Sequence, residues 1–266
     1  MNTYGLLMSI YNKDCPSLLY IALDSCDFSR LIEVVIVCDG PVKDEHLASI
    51  RRSVPDQLLK LIQLDENVGL GRALNHGLNE CSAKYIFRMD SDDICVSERF
   101  DTQIEFLEHN ECDVLGGQVY EFDSDPEIAI ANRRVPIDSK QMSKALLRRN
   151  PMNHVTVCYK REKILAIGSY HHAMYHEDYD LWIRAVLNGL DIMNLDTVLV
   201  KVRTGNGFLN RRHGLAYLKC EWRFVLKNIK FFRLYAIEYL MIRSALRLGP
   251  KFILNFVYAN FLRSKS

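Results

Sequence analysis

Tyr85-Ile86-Phe87-Arg88-Met89-Asp90-Ser91-Asp92-Asp93 runs five strand-forming residues straight into a cluster of carboxylates. Three earlier stretches likewise run from apolar residues into a polar end. Leu6 to Ile10 closes in Ser9-Ile10-Tyr11-Asn12, Val34 to Cys38 in Asp39-Gly40-Pro41, and Leu58 to Leu64 in Asp65-Glu66-Asn67-Val68-Gly69. Between them Pro16 to Cys26, Asp44 to Ser53 and Leu70 to Cys81 carry helical periodicity. Short apolar runs alternating with helix-length segments predict βαβ units and a mainly parallel sheet flanked by helices, an α/β fold. Functional loops in such a sheet lie beyond the carboxyl ends of the strands, so four polar strand ends converging on one edge point to a site. Downstream, the pattern predicts a helix from Ser97 to His109, strands near Val114 to Phe122 and Val155 to Tyr159, and a helix from Asp178 to Asn188.

The chain's 266 residues, 48% hydrophobic and 25% charged, exclude disordered and disulfide-scaffold classes and suit one large domain with an appendage. The formal charge of +1 gives no overall field to recruit nucleic acid. That charge is unevenly spread. From Lys219 to Ser266 ten Lys or Arg face only Glu221 and Glu238, so an acidic body ends in a basic tail. Leu215 to Leu262 reads as amphipathic helices broken at Gly249-Pro250, with Phe231, Phe232, Tyr235, Leu240, Phe252, Phe256 and Phe261 as apolar anchors. Its long basic side chains could equally cover the apolar surface of the body. The expected division is 1–210 for the nucleotide-binding body and 211–266 for a lid loop and helical basic extension. No stretch is long enough to span a bilayer, and the first residues, MNTYGLLMSIYN, carry no positively charged leader, so no signal peptide is expected. The eight scattered cysteines form no CxxC pair and read as reduced core thiols.

The fourth strand end is the most chemically pointed. Carboxylates this close repel one another unless a cation or hydrogen-bond donors neutralise them, and Mg²⁺ or Mn²⁺ suits oxygen ligands shared with a substrate phosphate. Asn67-Val68-Gly69-Leu70-Gly71-Arg72 opens a helix with backbone N–H groups and a guanidinium positioned for phosphate oxygens. It is neither a dinucleotide fingerprint nor a P-loop, which disfavours hydride transfer and ATP hydrolysis. Farther on, His176-Glu177-Asp178-Tyr179-Asp180-Leu181-Trp182 sets paired carboxylates in a first helical turn, where one could act as general base. Each feature alone is also ordinary turn or capping sequence.

Taken together and in order, Ser9-Ile10-Tyr11-Asn12, Asp39-Gly40, Asn67-Val68-Gly69 with Arg72 and Asn75, Asp90-Ser91-Asp92-Asp93, and Glu177-Asp178 with Leu181-Trp182 and Arg184 resemble the family-2 glycosyltransferases. The resemblance runs through roughly the first 205 residues. It implies a GT-A fold and an inverting hexosyl transfer from a UDP-sugar donor to a saccharide acceptor, on a lipid diphosphate such as undecaprenyl diphosphate, in O-antigen or surface polysaccharide synthesis. It implies that Ile10, Tyr11 and Asp39 hold the uridine, that Asn67, Arg72 and Ser91 lie by the nucleotide, and that Asp90 lies by the ribose. Asp92 would bind Mn²⁺ or Mg²⁺, Asp178 would be the base, Glu177 would orient an acceptor hydroxyl or support the helix start, and His154 would line the donor side. The processive QxxRW signature is absent; the nearby tryptophan stands in Glu221-Trp222-Arg223. The implied place of work is the cytoplasmic face of the membrane, with the basic tail on anionic lipid, and Arg203 to Gly214 forms a candidate lid.

Two other classes fit parts of the pattern. A sugar-phosphate nucleotidyltransferase shares the sheet and acidic metal site, but its Gly-rich, lysine-bearing phosphate loop after the first strand is missing. A non-catalytic nucleotide-sugar-binding protein would not require both Asp92 and Asp178.

Overall fold

Four parallel strands form the first half of the sheet in the computed structural model, which describes residues 2–171, 175–204 and 214–249. β1 (Tyr4–Ile10), β2 (Glu33–Cys38), β3 (Leu59–Gln63) and β4 (Tyr85–Met89) lie in the order β3-β2-β1-β4. Helices α1 (Pro16–Asp24), α2 (Asp44–Ser53) and α3 (Leu70–Glu80) connect them, as the alternation predicts. The two-residue period of the strands divides their side chains between two cores. Leu6, Met8 and Ile10 enter one with Leu19, Leu23 and Ile50 from α1 and α2, whereas Leu7, Val35 and Val37 enter the other with Ala73, Leu74 and Leu78 from α3. Gly77 lets α3 settle this closely on the sheet, since a Cβ there would collide with Leu7 and sit 2.7 Å from Val37 Cγ2.

The rest of the chain extends the sheet beyond β4. Its elements are β5 (Ile94–Cys95), α4 (Arg99–His109), β6 (Val114–Phe122), β7 (Ala131–Arg133), α5 (Ser139–Ala145), β8 (Cys158–Lys160), α6 (Arg161–Ala166), α7 (Glu177–Leu187) and β9 (Ile192–Arg203). β8 bridges β4 and β6 antiparallel to both, β9 runs parallel to β6, and β7 flanks β6. The apolar run Val155 to Tyr159 is not one strand. His154–Thr156 is a 3-10 turn and only Cys158–Lys160 pairs as a strand. Side-chain bonds explain the turn: Thr156 Oγ1 donates to the Asn153 carbonyl at 2.7 Å and Asn153 Nδ2 donates to the Gly117 carbonyl at 2.8 Å.

Helices α8 (Leu215–Lys227), α9 (Ile229–Phe232) and α10 (Tyr235–Leu248) pack on the body. Phe224, Val225, Phe232, Ala236 and Tyr239 join Tyr179, Leu181 and Trp182 in the second core. Two of the aromatic residues read as membrane anchors are therefore placed otherwise: Phe232 is fully buried and Phe231 partly so. The exposed apolar face is instead made by Leu226, Leu234, Ile237 and Met241. Phe252, Phe256 and Phe261, with Pro250 of the expected helix break, lie outside the described residues, as does 205–213 of the candidate lid. All eight cysteines are free thiols, and only Cys15 is exposed.

Candidate active site

β1 lies between β2 and β4, so after β3 the chain crosses to the other side of β1. The carboxyl ends of β1 and β4 are the topological switch point, where open α/β sheets take their ligands. Arg88, 2% exposed in β4, pairs two-pronged with Asp90, with Nη1 at 2.5 Å from Oδ2 and Nη2 against Oδ1. Fully buried Arg99 donates to the Arg88 carbonyl at 2.8 Å and fixes the strand end from beneath. Ser91 Oγ donates to Asp14 Oδ2 at 2.9 Å, and that oxygen also accepts the Tyr11 N–H at 3.1 Å. The loops after β1 and β4 are thereby joined. Burial pushes the Asp14 carboxyl up, against the pull of those two donors.

The three acids after β4 have separate surroundings. Asp90 is held by Arg88, whereas buried Asp93 accepts the Arg203 N–H at 2.8 Å and so fastens the end of β9. Burial and the charges of Asp90 and Asp92 push Asp93 well above the carboxylate range. Asp92 retains an exposed surface, yet the protein packed around its carboxyl, with the charges of Asp90 and Asp14, pushes it up to about 6. A carboxyl in such acidic surroundings, where the nearby Arg88 is already engaged by Asp90, fits a cation. Among the described residues no three His, Cys, Asp or Glu side chains form a ready cage. One or two protein carboxylates, with water and phosphate completing the shell, is the usual provision for Mg²⁺, so the donor set fits.

At the neighbouring strand ends, Ile10 is 1% exposed and Tyr11 lies on the surface. Asp39, itself buried, accepts the Val68 N–H at 2.7 Å and the Gly69 N–H at 3.0 Å, one on each oxygen, while Asn67 Nδ2 donates to its carbonyl at 3.2 Å. Gly40 permits this contact between loops, with φ +84° and only 2.8 Å between a would-be Cβ and Asn67 N. Asn67 and Arg72 are exposed on the loop and first turn of α3.

The start of α7 forms the opposite wall. A Cβ on Gly71 would lie 3.0 Å from the His171 carbonyl and 3.2 Å from Glu177 Cβ, so the glycine brings α3 and α7 together. Burial, then the Asp178 charge, pushes Glu177 up to about 7. Asp178 Oδ2 accepts Asn150 Nδ2 at 2.5 Å and Oδ1 accepts the Tyr179 N–H at 2.7 Å. His154 Nε2 meets the Tyr170 hydroxyl at 2.8 Å, and burial, with Arg88 nearby, holds the imidazole neutral.

A cavity of about 480 Å³ joins these walls and is lined by Asp90, His154, Glu177 and Asp178. Ile10, Tyr11, Asp39, Asn67, Arg72, Ser91 and Asp92 do not line it; they lie in and just after the strand ends, Arg72 in the first turn of α3. Arg88, Asp14 and Asn150 were not legible as site residues, although a lone charge inside the apolar run of β4 is a usable signal. Nor does the sequence reveal that α8 and α10 line the cavity, through Tyr217 and Glu221 and through Tyr239, Arg243 and Arg247.

Comparison with known proteins finds relatives in sequence and in fold. The profile of Glycosyl transferase family 2 matches residues 6–182. The amylovoran biosynthesis glycosyltransferase AmsE of Erwinia amylovora is 37% identical over 263 residues, covering 96% of this chain and 97% of its own. The UDP-Gal:alpha-D-GlcNAc-diphosphoundecaprenol beta-1,3-galactosyltransferase of Escherichia coli is 33% identical over 268 residues, covering 98% and 96%. In fold, the chain is similar to the mannosyltransferase PcManGT of Pyrobaculum calidifontis solved with GDP-Man and Mn²⁺, with TM-score 0.65, 16% identity and 97% and 81% coverage. It is also similar to S. aureus TarS 1-349 solved with UDP-GlcNAc, with TM-score 0.62, 18% identity and 84% and 66% coverage.

Proposed function

The chain belongs to Glycosyl transferase family 2, and from that premise we propose that it is a metal-dependent, inverting hexosyltransferase. It moves a hexose from a UDP-sugar to a hydroxyl of a lipid-diphosphate-linked saccharide in surface polysaccharide synthesis. One observation carries the reading: Asp90 and the Glu177-Asp178 pair, far apart in sequence, line one cavity, with Asp92 at its edge. The galactosyltransferase relative supplies the donor and acceptor classes, and the amylovoran relative the polysaccharide setting.

In this scheme the backbone at Ile10 and Tyr11 and the Asp39 carboxylate take the uridine, Asn67, Arg72 and Ser91 lie by the nucleotide, and Asp90 takes the ribose. Asp39 has one lone pair left on each oxygen after serving the Val68 and Gly69 amides. Asp92 holds Mg²⁺ or Mn²⁺, which when bound offsets the charge building on the departing diphosphate. Neutral His154 lines the donor side. Asp178, aimed by Asn150, takes the proton of the attacking hydroxyl, and Glu177 orients the acceptor. A single in-line displacement inverts the anomeric centre. No described helix is long and apolar enough to cross a membrane. The exposed apolar side chains of α8 to α10, flanked by Lys219, Arg223, Lys230 and Arg233, suit the anionic cytoplasmic leaflet, where the acceptor is held.

Asp178→Asn tests the reading. UDP-sugar affinity by calorimetry should be retained while turnover falls by about 10²–10⁴, the usual effect of removing a general base. Wild-type turnover in that variant, or undiminished activity of the wild type in excess EDTA, would overturn it.

A further inference from the structure

Six arginines line the cavity, as many as its carboxylates. Arg88 is matched by Asp90, Arg134 by Asp196 at 2.6 Å, and Arg247 by Glu221 through two bonds of 3.1 Å. Arg149 differs. The residue is half-buried in the cavity wall, and its side chain has no hydrogen-bond or ion-pair partner among the described residues. A cation withdrawn from water without a partner is costly unless a ligand supplies the counter-charge.

Its position narrows the ligand. The next residue, Asn150, donates to Asp178, and the preceding carbonyl, of Arg148, accepts Arg243 Nη2 from α10 at 3.2 Å. Arg243 also lines the cavity, with its Nε 3.8 Å from Glu221 and its guanidinium over the Tyr239 ring. Arg149 and Arg243 thus line the same cavity as Asp178, and Arg243 is tied to the residue that precedes Arg149. Tyr239, Arg243 and Arg247, four residues apart, face the cavity, whereas Leu234, Ile237 and Met241 are exposed on the same short helical hairpin.

Resting on the functional reading above, we propose that Arg149 and Arg243 bind the diphosphate of the lipid-linked acceptor. An acceptor with its attacking hydroxyl at Asp178 carries its diphosphate one sugar ring away, on the side from which the lipid leaves. Guanidinium forks match phosphate oxygens with two hydrogen bonds at once. α10 then joins both ends of the acceptor, its arginine on the diphosphate and its apolar side chains in the bilayer that anchors the lipid.

The experiment compares two soluble compounds by calorimetry without donor: a short-alkyl diphosphate ester of N-acetylglucosamine and the matching alkyl glycoside. Charge-assisted hydrogen bonds of this kind should give the diphosphate about a tenfold tighter Kd on the wild type. Arg149→Gln should abolish that margin while leaving the Kd for UDP within about twofold, and Arg149→Lys should restore part of it. Equal binding of the two compounds by wild type, or an undiminished margin in Arg149→Gln, would overturn the proposal. Weakened UDP binding with the margin intact would assign Arg149 to the donor diphosphate instead. Wild type without turnover of any UDP-sugar would defeat the functional reading, whereas the two Kd values would still decide the arginine site.

Discussion

Glu177 and Asp178 are adjacent yet differently held, and the difference has a consequence in pH. Asp178 is fixed by Asn150, whereas Glu177 is pushed up to about 7 by burial and by Asp178. An unfolded glutamate titrates near about 4.3. Folding therefore favours protonated Glu177, and this contribution to stability, complete below that value, is lost as pH rises through about 7. Glu177→Gln should accordingly gain on the wild type between about pH 5 and pH 8, by a few degrees in Tm, since about 1 kcal/mol moves Tm by roughly 2–4 °C in chains of this size. A Tm difference independent of pH would contradict the assignment. Arg88 shows what can be read of a site before its fold is known. The carboxylates of Asp90 to Asp93 announce themselves by spacing, but the guanidinium that fixes one of them lies within an apolar run, where residue type describes the strand and conceals the contact. Asn150 gives no local signal at all, because its partner Asp178 is 28 residues away.

Among elements, α7 meets α8 through one buried carboxylate as well as through the packing of Tyr179 on Phe224. Asp180, fully buried, meets Lys227 at 2.8 Å, Arg184 at 2.9 Å and His171 at 3.2 Å. Burial raises the carboxyl, but the bonds from Lys227 and Arg184 outweigh it and hold it below the usual range. Asp180→Asn should cost about 2–3 kcal/mol at neutral pH in urea unfolding, at or below the 3–5 kcal/mol for broken buried pairs because Lys227 is half exposed. The loss should shrink as pH falls through the native pKa, where the wild-type carboxyl is protonated as well. An unchanged midpoint at neutral pH would show that α8 is held by apolar packing alone. Element by element, β1, β2 and β4 were readable because strands buried on both faces must be nearly continuously apolar, and the half-exposed edge strand β3 and helices α1 to α3 were readable from their place in the alternation. β9 was not: Asn194, Asp196 and Thr197 interrupt its apolar pattern, and a bulge opposite Gly116 to Val119 disturbs its register with β6. The turn at His154–Thr156 looks like a strand in sequence because its apolar residues are buried just as a strand's would be.

At the scale of the whole molecule, charge and exposed apolar surface coincide on α8 to α10. Leu234 is 85% exposed and Met241 69%, so Leu234→Asp with Met241→Asp should leave the fold intact. Together they should markedly reduce co-sedimentation with anionic vesicles, and high salt should release the wild type. Equal sedimentation of variant and wild type would remove membrane docking from this face. Point substitutions are the right instrument, because cutting away the helices would strip Tyr179 and Trp182 of Phe224, Phe232 and Tyr239. The same packing sets an order of events during synthesis. The strand ends, Asp90 to Asp93 and the Glu177-Asp178 pair leave the ribosome well before α10, yet the second core and the arginine wall are incomplete until Arg247 has emerged. A nascent or prematurely terminated chain therefore carries a sticky apolar patch in place of a finished cavity, and is material for chaperones and proteases before it can transfer a sugar.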